Sequence, residues 1–355
     1  MVSASGNNKM RVGIAGLDHW YAGLGAARAV AADPDVDLVV VAHRDEARAR
    51  ETARRFGAAE WTTQYDAVVQ RDDLDIVVTA CRTSENADLC MQAAARGLHI
   101  FSVKPIAMTR DEAARIKEAV DRSGVRFLSA ESDRRLNRQY QLIKEWIDEG
   151  RIGRPISVAQ QWRAPLPTQE WPGVTGRTWW LNPAYTPCGG WMDHAIYTVD
   201  MLRWLFDSEV VAASGLVANL VHKDLASGLE DFGSALLTFG GGQVASVEVT
   251  WTAARGASIA TTHIVGSEGA LLLDSQMPGR ATVSGHFEPF SGWSSVTLPE
   301  VESIVAGPTF SQFVAAVREG APLPAGVDDA CRNLDACFTF YEAARSGGTG
   351  QVAPA

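Results

Sequence analysis

Over the first third of the chain, short β-branched runs alternate with longer stretches of helical apolar spacing. The runs at 11–15, 37–42, 76–80, 99–102 and 126–129 predict strands, and the stretches at 21–31, 46–56, 84–96 and 110–123 predict helices. Gly57, Gly97 and Gly124 each follow the last periodic residue of a predicted helix, where a left-handed closing position favours glycine. Strand–helix alternation of this kind predicts repeated βαβ units: an α/β domain with a doubly wound parallel sheet covered by helices on both faces.

Near residue 130 the pattern changes. An amphipathic stretch at 136–149 ends at Gly150 and leads into RIGRPISVAQQWR, which reads as a helix feeding the first strand of a new sheet. Beyond Phe206 strands follow one another directly, as in DFGSALLTFGGGQVASVEVTWTA, where Gly240, Gly241 and Gly242 predict a hairpin turn. A helical stretch at 327–345 closes this half. The expected organisation is a first domain over 1–130, with 1–9 as a flexible tail, and a second, antiparallel α+β domain over 131–355.

Composition narrows the class. At 355 residues the chain exceeds the ~250 to 300 that a single core holds, so two domains are expected. Hydrophobic residues make up 46% and charged residues 21%, the balance of a globular protein rather than a disordered or disulfide-stapled one. A net charge of -10 repels phosphodiester backbones and anionic lipid, which argues against nucleic-acid and membrane partners. Cys81, Cys90, Cys188, Cys331 and Cys337 contain no CxxC pair, so reduced thiols, no metal site and a cytoplasmic location are expected. The opening MVSASGNNKM lacks the basic and apolar regions of a secretory signal, and no apolar run nears the ~20 residues that span a bilayer.

Candidate chemistry gathers at the predicted strand ends. The first strand runs into Gly13-Ile14-Ala15-Gly16-Leu17-Asp18-His19, where a dinucleotide fold places its phosphate-binding turn. If Gly16 opens the GxGxxG fingerprint, Asp18 and Tyr21 replace its second and third glycines; an ordinary strand-to-helix turn is the alternative. At the end of the second strand His43 stands where an acid would bind the adenosine ribose. The adjacent Arg44 can accept a 2′-phosphate, which opens NADP beside NAD and leans slightly towards it. Ser102-Val103-Lys104-Pro105 places a lysine at the carboxyl edge of the sheet, able to hydrogen-bond a substrate oxygen during proton transfer. The candidate dinucleotide contacts are therefore Gly13, Gly16, Leu17, Asp18, His19, His43, Arg44, Ala80, Lys104 and Pro105.

The densest constellation is GGWMDHAIYTVD, a glycine pair opening a helix. Asp193, Tyr197 and Asp200 recur at i, i+4 and i+7 on one face, with His194 turned away from Asp193. Trp162, Trp171, Trp179, Trp180 and Trp191 crowd the approach, and flat rings suit the C–H faces of a sugar. Trp162, Arg163, Trp180, Asp193 and His194 are the candidate substrate contacts.

Taken in order, the blocks VGIAGL, LDIVVTACRTSENADLCMQAAARGLHIFSVKPIA, LIKEWIDEGRIGRPISV, CGGWMDHAIYTVDMLRWL and HIVGSEGALLL resemble the Gfo/Idh/MocA family of glucose-fructose oxidoreductases and inositol dehydrogenases. The resemblance implies an N-terminal Rossmann domain and a C-terminal α/β domain whose large open sheet builds homodimers or homotetramers. Lys104 matches the lysine of the family's E-K-P motif, and Asp193 and Tyr197 fall at the ends of its D-x-x-x-H motif. Val103 replaces the glutamate, Tyr197 the histidine, and Asn86 stands where a histidine is common.

The resemblance implies hydride transfer between NAD or NADP and a secondary alcohol of a sugar, sugar derivative or cyclitol. Lys104 and Tyr197, or alternatively His194, would handle the hydroxyl proton while Asp193 orients the substrate. Two other readings stay open: a redox-neutral glycoside-cleaving enzyme working through a 3-keto intermediate, and a non-catalytic dinucleotide- or sugar-sensing protein.

Overall fold

The computed structural model describes residues 9–300 and 307–352, in two compact units. The tail expected at 1–9 lies, apart from Lys9, outside the described residues. The first unit comprises residues 9–133, 169–179 and 307–331; the second comprises 134–168, 180–300 and 332–352.

In the first unit the chain runs β1 (Met10–Ala15), α1 (Trp20–Ala32), β2 (Val36–Ala42), α2 (Glu46–Phe56), β3 (Glu60–Thr62), α3 (Tyr65–Val69), β4 (Ile76–Thr79), α4 (Thr83–Ala95), β5 (His99–Ser102), α5 (Arg110–Ser123) and β6 (Phe127–Ser129). The strands form one parallel sheet in the order β3-β2-β1-β4-β5-β6, so connections leave β1 in opposite directions and a crevice opens between β1 and β4. Both faces of this sheet are covered, which is why its inner strands are apolar at successive positions, as in IVVT of β4. Helix ends follow local chemistry. Asp45 caps α2 and Thr109 caps α5 with side-chain oxygens, and Gly57 and Gly124 close the same helices in the left-handed region.

At the junction of the units lies α6 (Asp133–Leu136), and the second unit continues with α7 (Arg138–Asp148). A single helix was expected over 136–149. The chain breaks it at Asn137, whose side chain accepts from Gln139 N–H at 2.9 Å and starts a new helix. Then come β7 (Pro155–Arg163), the small hairpin β8 (Gln169–Trp171) and β9 (Val174–Thr175), α8 (Gly190–Phe206), β10 (Val210–Ala218), β11 (Phe232–Phe239), β12 (Val244–Thr250), β13 (Ile259–Gly266), β14 (Ala270–Asp274), β15 (Arg280–Ser284) and β16 (Ser294–Thr297). Helices α9 (Gly307–Glu319) and α10 (Val327–Ser346) and strand β17 (Thr349–Gln351) complete the chain. Of these, β8, β9 and α9 belong to the first unit, where Phe310 and Phe313 of α9 pack on Phe101 of β5.

Nine strands make the second sheet, in the order β16-β15-β14-β13-β7-β12-β11-β10-β17. All its pairings are antiparallel except β7 with β12. The hairpin expected at Gly240 to Gly242 joins β11 to β12, with Gly242 in the left-handed region. One face is buried under α8, whose Trp191 indole donates to Val247 O of β12 at 3.1 Å. The other face carries Ser157, Ala159, Ser234 and Ser246 together with exposed Leu216 and Leu236. No helix among the described residues is long and apolar enough to cross a membrane.

Candidate functional site

The first unit builds its candidate site at the carboxyl edge of β1, β2, β4 and β5. Gly16 turns the chain at φ +97, and a Cβ there would come within 2.9 Å of Cys81 Cα, so the turn tolerates only glycine. His19 N–H then donates to Ala80 O at 3.0 Å and its Nδ1 lies 3.1 Å from Cys81 O, tying the turn to the end of β4. Close packing of α1 on this turn is secured by Gly23, where a Cβ would meet Leu17 at 2.5 Å. Close helix–strand packing is what the third glycine of a dinucleotide fingerprint provides, and here Gly23 provides it in place of position 21. Gly13 lies inside β1, where Leu74 and Val68 leave no room for a side chain, so its role is packing rather than ligand contact.

This geometry fits a dinucleotide. The 13-residue α1 points its N-terminus at the crevice with no acidic residue in its first turn and no side-chain cap from His19, the arrangement that receives a phosphate. The surroundings of Arg44 do not support the expected lean to NADP. Its guanidinium is bonded to Asp18 at 3.1 and 3.2 Å and to Glu85 at 2.7 Å, and it lies 5.1 Å from the Tyr65 ring centroid. Burial disfavours its charge, but the Asp18 bonds outweigh burial and leave its pKa raised. His43 is buried, its Nδ1 accepts from Asp45 N–H at 3.0 Å, and burial holds its pKa below the usual imidazole value.

Lys104 follows β5 and is 2% exposed. Its loop is pinned on both sides by the amide of Asn86, fully buried in α4, which donates to Ser102 Oγ at 3.0 Å and to Ile106 O at 2.8 Å. Val103 N–H adds a bond to Thr79 O at 3.1 Å. The residue that departs from the family's histidine thus holds the backbone around Lys104 and Pro105.

In the second unit the glycine pair has a steric cause. A Cβ on Gly189 would fall 2.4 Å from the Glu230 backbone, and one on Gly190 3.0 Å from the Trp251 ring. The buried Glu230 carboxylate accepts from the N–H groups of Gly189 (3.2 Å) and Trp191 (2.9 Å) and from the Tyr341 hydroxyl (2.7 Å), while Met192 N–H donates to the same tyrosine oxygen at 3.1 Å. These groups satisfy the donors that open α8. Burial pushes the Glu230 carboxyl up to about 7, with the Tyr341 and backbone bonds pulling the other way.

Asp193 follows in the first turn of α8. Its Oδ2 accepts from Trp251 Nε1 at 3.0 Å and lies 3.3 Å from His194 Nδ1. The helical-wheel separation of Asp193 from His194 does not keep these side chains apart, because His194 is the next residue and its ring bends back. The His194 ring packs at a tilt against Trp162, centroids 4.2 Å apart, and the Arg134 guanidinium lies between 5.4 and 5.6 Å from the ring centroids of Trp162, Tyr197 and Tyr140. Asp193, His194, Trp162 and Tyr197 are therefore brought into one neighbourhood.

Other expected members are elsewhere. Arg163 bonds Glu248 at 2.8 Å on the open face of the sheet, opposite Trp162, as alternation along β7 requires. Asp200 is fully buried and bidentate with Arg135 at 2.8 and 2.9 Å, with Asn333 Nδ2 donating at 2.9 Å, so it is a structural tie. The tryptophans divide as well. Trp191 is core, 4.0 Å from Phe340, and Trp180 is buried in the second unit. In the first unit Trp171 packs 5.6 Å from His43, and Trp179 Nε1 donates to Asp18 O at 3.1 Å. Sequence reasoning missed Glu230, Trp251 and Arg134; only the doubled arginine of SDRRLNRQY offered a signal, and a faint one.

Comparison with known proteins agrees with this architecture. Residues 10–131 match the model of an oxidoreductase family with an NAD-binding Rossmann fold, and residues 140–272 match the GFO/IDH/MocA C-terminal domain. A scyllo-inositol 2-dehydrogenase (NAD(+)) of Bacillus subtilis (strain 168) is 27% identical over 251 residues, 70% of this chain and 69% of that one. A levoglucosan dehydrogenase of Pseudarthrobacter phenanthrenivorans is 26% identical over 256 residues, 66% of this chain and 64% of that one. Among solved structures, an oxidoreductase domain protein from Kribbella flavida superposes with a TM-score of 0.86 at 19% identity, covering 98% of this chain and 100% of the other. Levoglucosan dehydrogenase in complex with NADH and levoglucosan gives 0.85 at 22% identity, again over 98% and 100%. With both domain models matched in order over more than two thirds of its length, the chain belongs to the Gfo/Idh/MocA family of oxidoreductases, with an NAD-binding Rossmann fold ahead of the family's C-terminal domain.

Proposed function

We propose that the protein is an NAD-dependent dehydrogenase that oxidises a secondary alcohol of a cyclitol, sugar or anhydrosugar. The observation that carries this reading is Lys104, buried at the carboxyl edge of the parallel sheet in a loop clamped by Asn86. Inositol and levoglucosan dehydrogenases among the relatives suggest the substrate class. Bound NAD would take the hydride from the carbinol carbon. Lys104 holds the oxygen of that carbon and steadies the charge that develops as its proton leaves. Asp193, oriented by the Trp251 indole, accepts from neighbouring substrate hydroxyls, and Trp162 offers a flat apolar surface to the ring.

For the proton itself Tyr197 is one carrier. His194 is the second, favoured by its 3.3 Å approach to the Asp193 carboxylate, which can orient an imidazole and stabilise its charged form. The test is a panel of inositols, monosaccharides, anhydrosugars and glycosides offered with NAD while substrate consumption and the absorbance of reduced nicotinamide are both followed. Accumulation with at least one of them is expected. A flat trace with a glycoside consumed would replace this reading by redox-neutral cleavage, and a flat trace with NAD bound and nothing consumed by a sensor.

The open face of the nine-stranded sheet, small-residued and bearing exposed Leu216 and Leu236, supports a homodimer or homotetramer through that face. Light scattering on the full chain should return a multiple of the protomer mass; a monomer would remove the assignment.

A further inference from the structure

The end of β2 lacks the carboxylate that a dinucleotide fold uses to hold the adenosine ribose, because His43 stands there with its ring bonded to Asp45 N–H. A carboxylate nevertheless lies against that strand end. Asp18, leaving the Gly16 turn, bonds Arg44 through both oxygens, accepts from the Tyr65 hydroxyl at 2.9 Å, and lies 3.5 Å from Arg82 Nε; its side chain is only 6% exposed. Arg44 is engaged a second time by Glu85 in the first turn of α4.

We propose that Asp18 is the cofactor-selecting residue of this protein: it replaces the missing strand-end acid as partner of the ribose and excludes a 2′-phosphate by holding Arg44. The inference rests on the dinucleotide reading of the first unit. Arg44 and Arg82 are matched by Asp18 and Glu85, so the cluster has no cationic charge to spare. A 2′-phosphate, bringing about two negative charges, would have to break the Arg44 bonds and leave Asp18 facing a like charge. A ribose hydroxyl asks only for an acceptor. The two Asp18 oxygens offer about four acceptor sites; the bonds from Arg44 and Tyr65 take three of them, and Arg82 Nε, at 3.5 Å, stands beyond the ~3.2 Å of an N–H···O bond to the fourth.

The experiment is calorimetric titration of the full-length protein with NAD and with NADP, for wild type, Asp18→Asn and Glu85→Gln, with thermal melts as a check on folding. Wild type is expected to bind NAD at least about tenfold more tightly than NADP. Asp18→Asn is expected to weaken NAD and strengthen NADP by about tenfold each, and adding Arg44→Ala to it should abolish the gain for NADP. Glu85→Gln, at a more exposed position than Asp18, should shift preference in the same direction by less, and it decides the matter if Asp18→Asn does not fold. A wild type that prefers NADP, or folded variants that keep the wild-type ratio, would overturn the assignment. Wild type that binds neither dinucleotide would instead overturn the reading of the first unit on which it stands.

Discussion

Lys104→Ala is expected to lower the turnover number by about a thousandfold while NAD still binds, since a positioned proton-handling group contributes roughly 10²- to 10⁴-fold. The loop around position 104 is held by bonds that do not involve its side chain: Asn86 to Ser102 and Ile106, and Val103 to Thr79. The substitution therefore removes an ammonium group without releasing the backbone that presents it. Steady-state kinetics with the best substrate of the panel, beside NAD titration and a thermal melt, separate the outcomes. Loss of turnover with binding and melting intact assigns Lys104 to the chemical step. Turnover within a few-fold of wild type would remove it from the mechanism, and lost NAD binding would recast it as a cofactor ligand.

Glu230→Gln is expected to change how stability depends on pH. The folded carboxyl is pushed up to about 7 from an ordinary value of 4.5, chiefly by burial. Between those values the native state keeps a proton that the unfolded chain has released, so stability falls as pH rises from about 4.5 to about 7 and this group adds nothing further above that. At about 1.4 kcal/mol per unit, the window is worth at most roughly 3 to 4 kcal/mol. Glutamine imitates the neutral acid and lacks the transition. The melting temperature of Glu230→Gln relative to wild type should therefore rise across the window and level off above it. Parallel curves over the whole range would show an ordinary, ionised carboxylate at this position.

Much of the architecture was legible because its determinants are local. In the first domain β1, β2, β4 and β5 each declare themselves, with the helix that follows, within about thirty residues, and the glycine ends of α2 and α5 fall where the pattern placed them. The three-residue β3 and five-residue α3 were not legible, being too short to display a period. The break at Asn137 was overridden by the apolar spacing on either side of it. That α9 returns to the first unit depends on Phe101, Phe310 and Phe313 meeting across some 200 residues, which no window of sequence reports.

The candidate site divides in the same way. Gly16, Asp18, Lys104 and Asp193 could be named because motif spacing carries them. Glu230 and Trp251 act on α8 from other elements and leave no local trace. Arg163 was a different failure: it is adjacent to Trp162 in a strand, and neighbours in a strand face opposite sides. That inference was available from the alternation alone. Asp200 shares a helical face with Asp193, but a wheel records direction and not the buried arginine waiting there.

The order of strands in the larger sheet also sets a timetable for synthesis. Strand β7, finished at Arg163, is hydrogen-bonded on one side to β12, which begins at Val244, and on the other to β13, which begins at Ile259. While the ribosome makes the intervening residues at roughly 5–20 per second, both edges of β7 stay without their partners for several seconds. The first unit waits longer still, since α9, which packs on Phe101, begins only at Gly307. An unpaired strand and an uncovered apolar face are thus exposed at once, and chaperones that bind extended or apolar segments would find both on the growing chain.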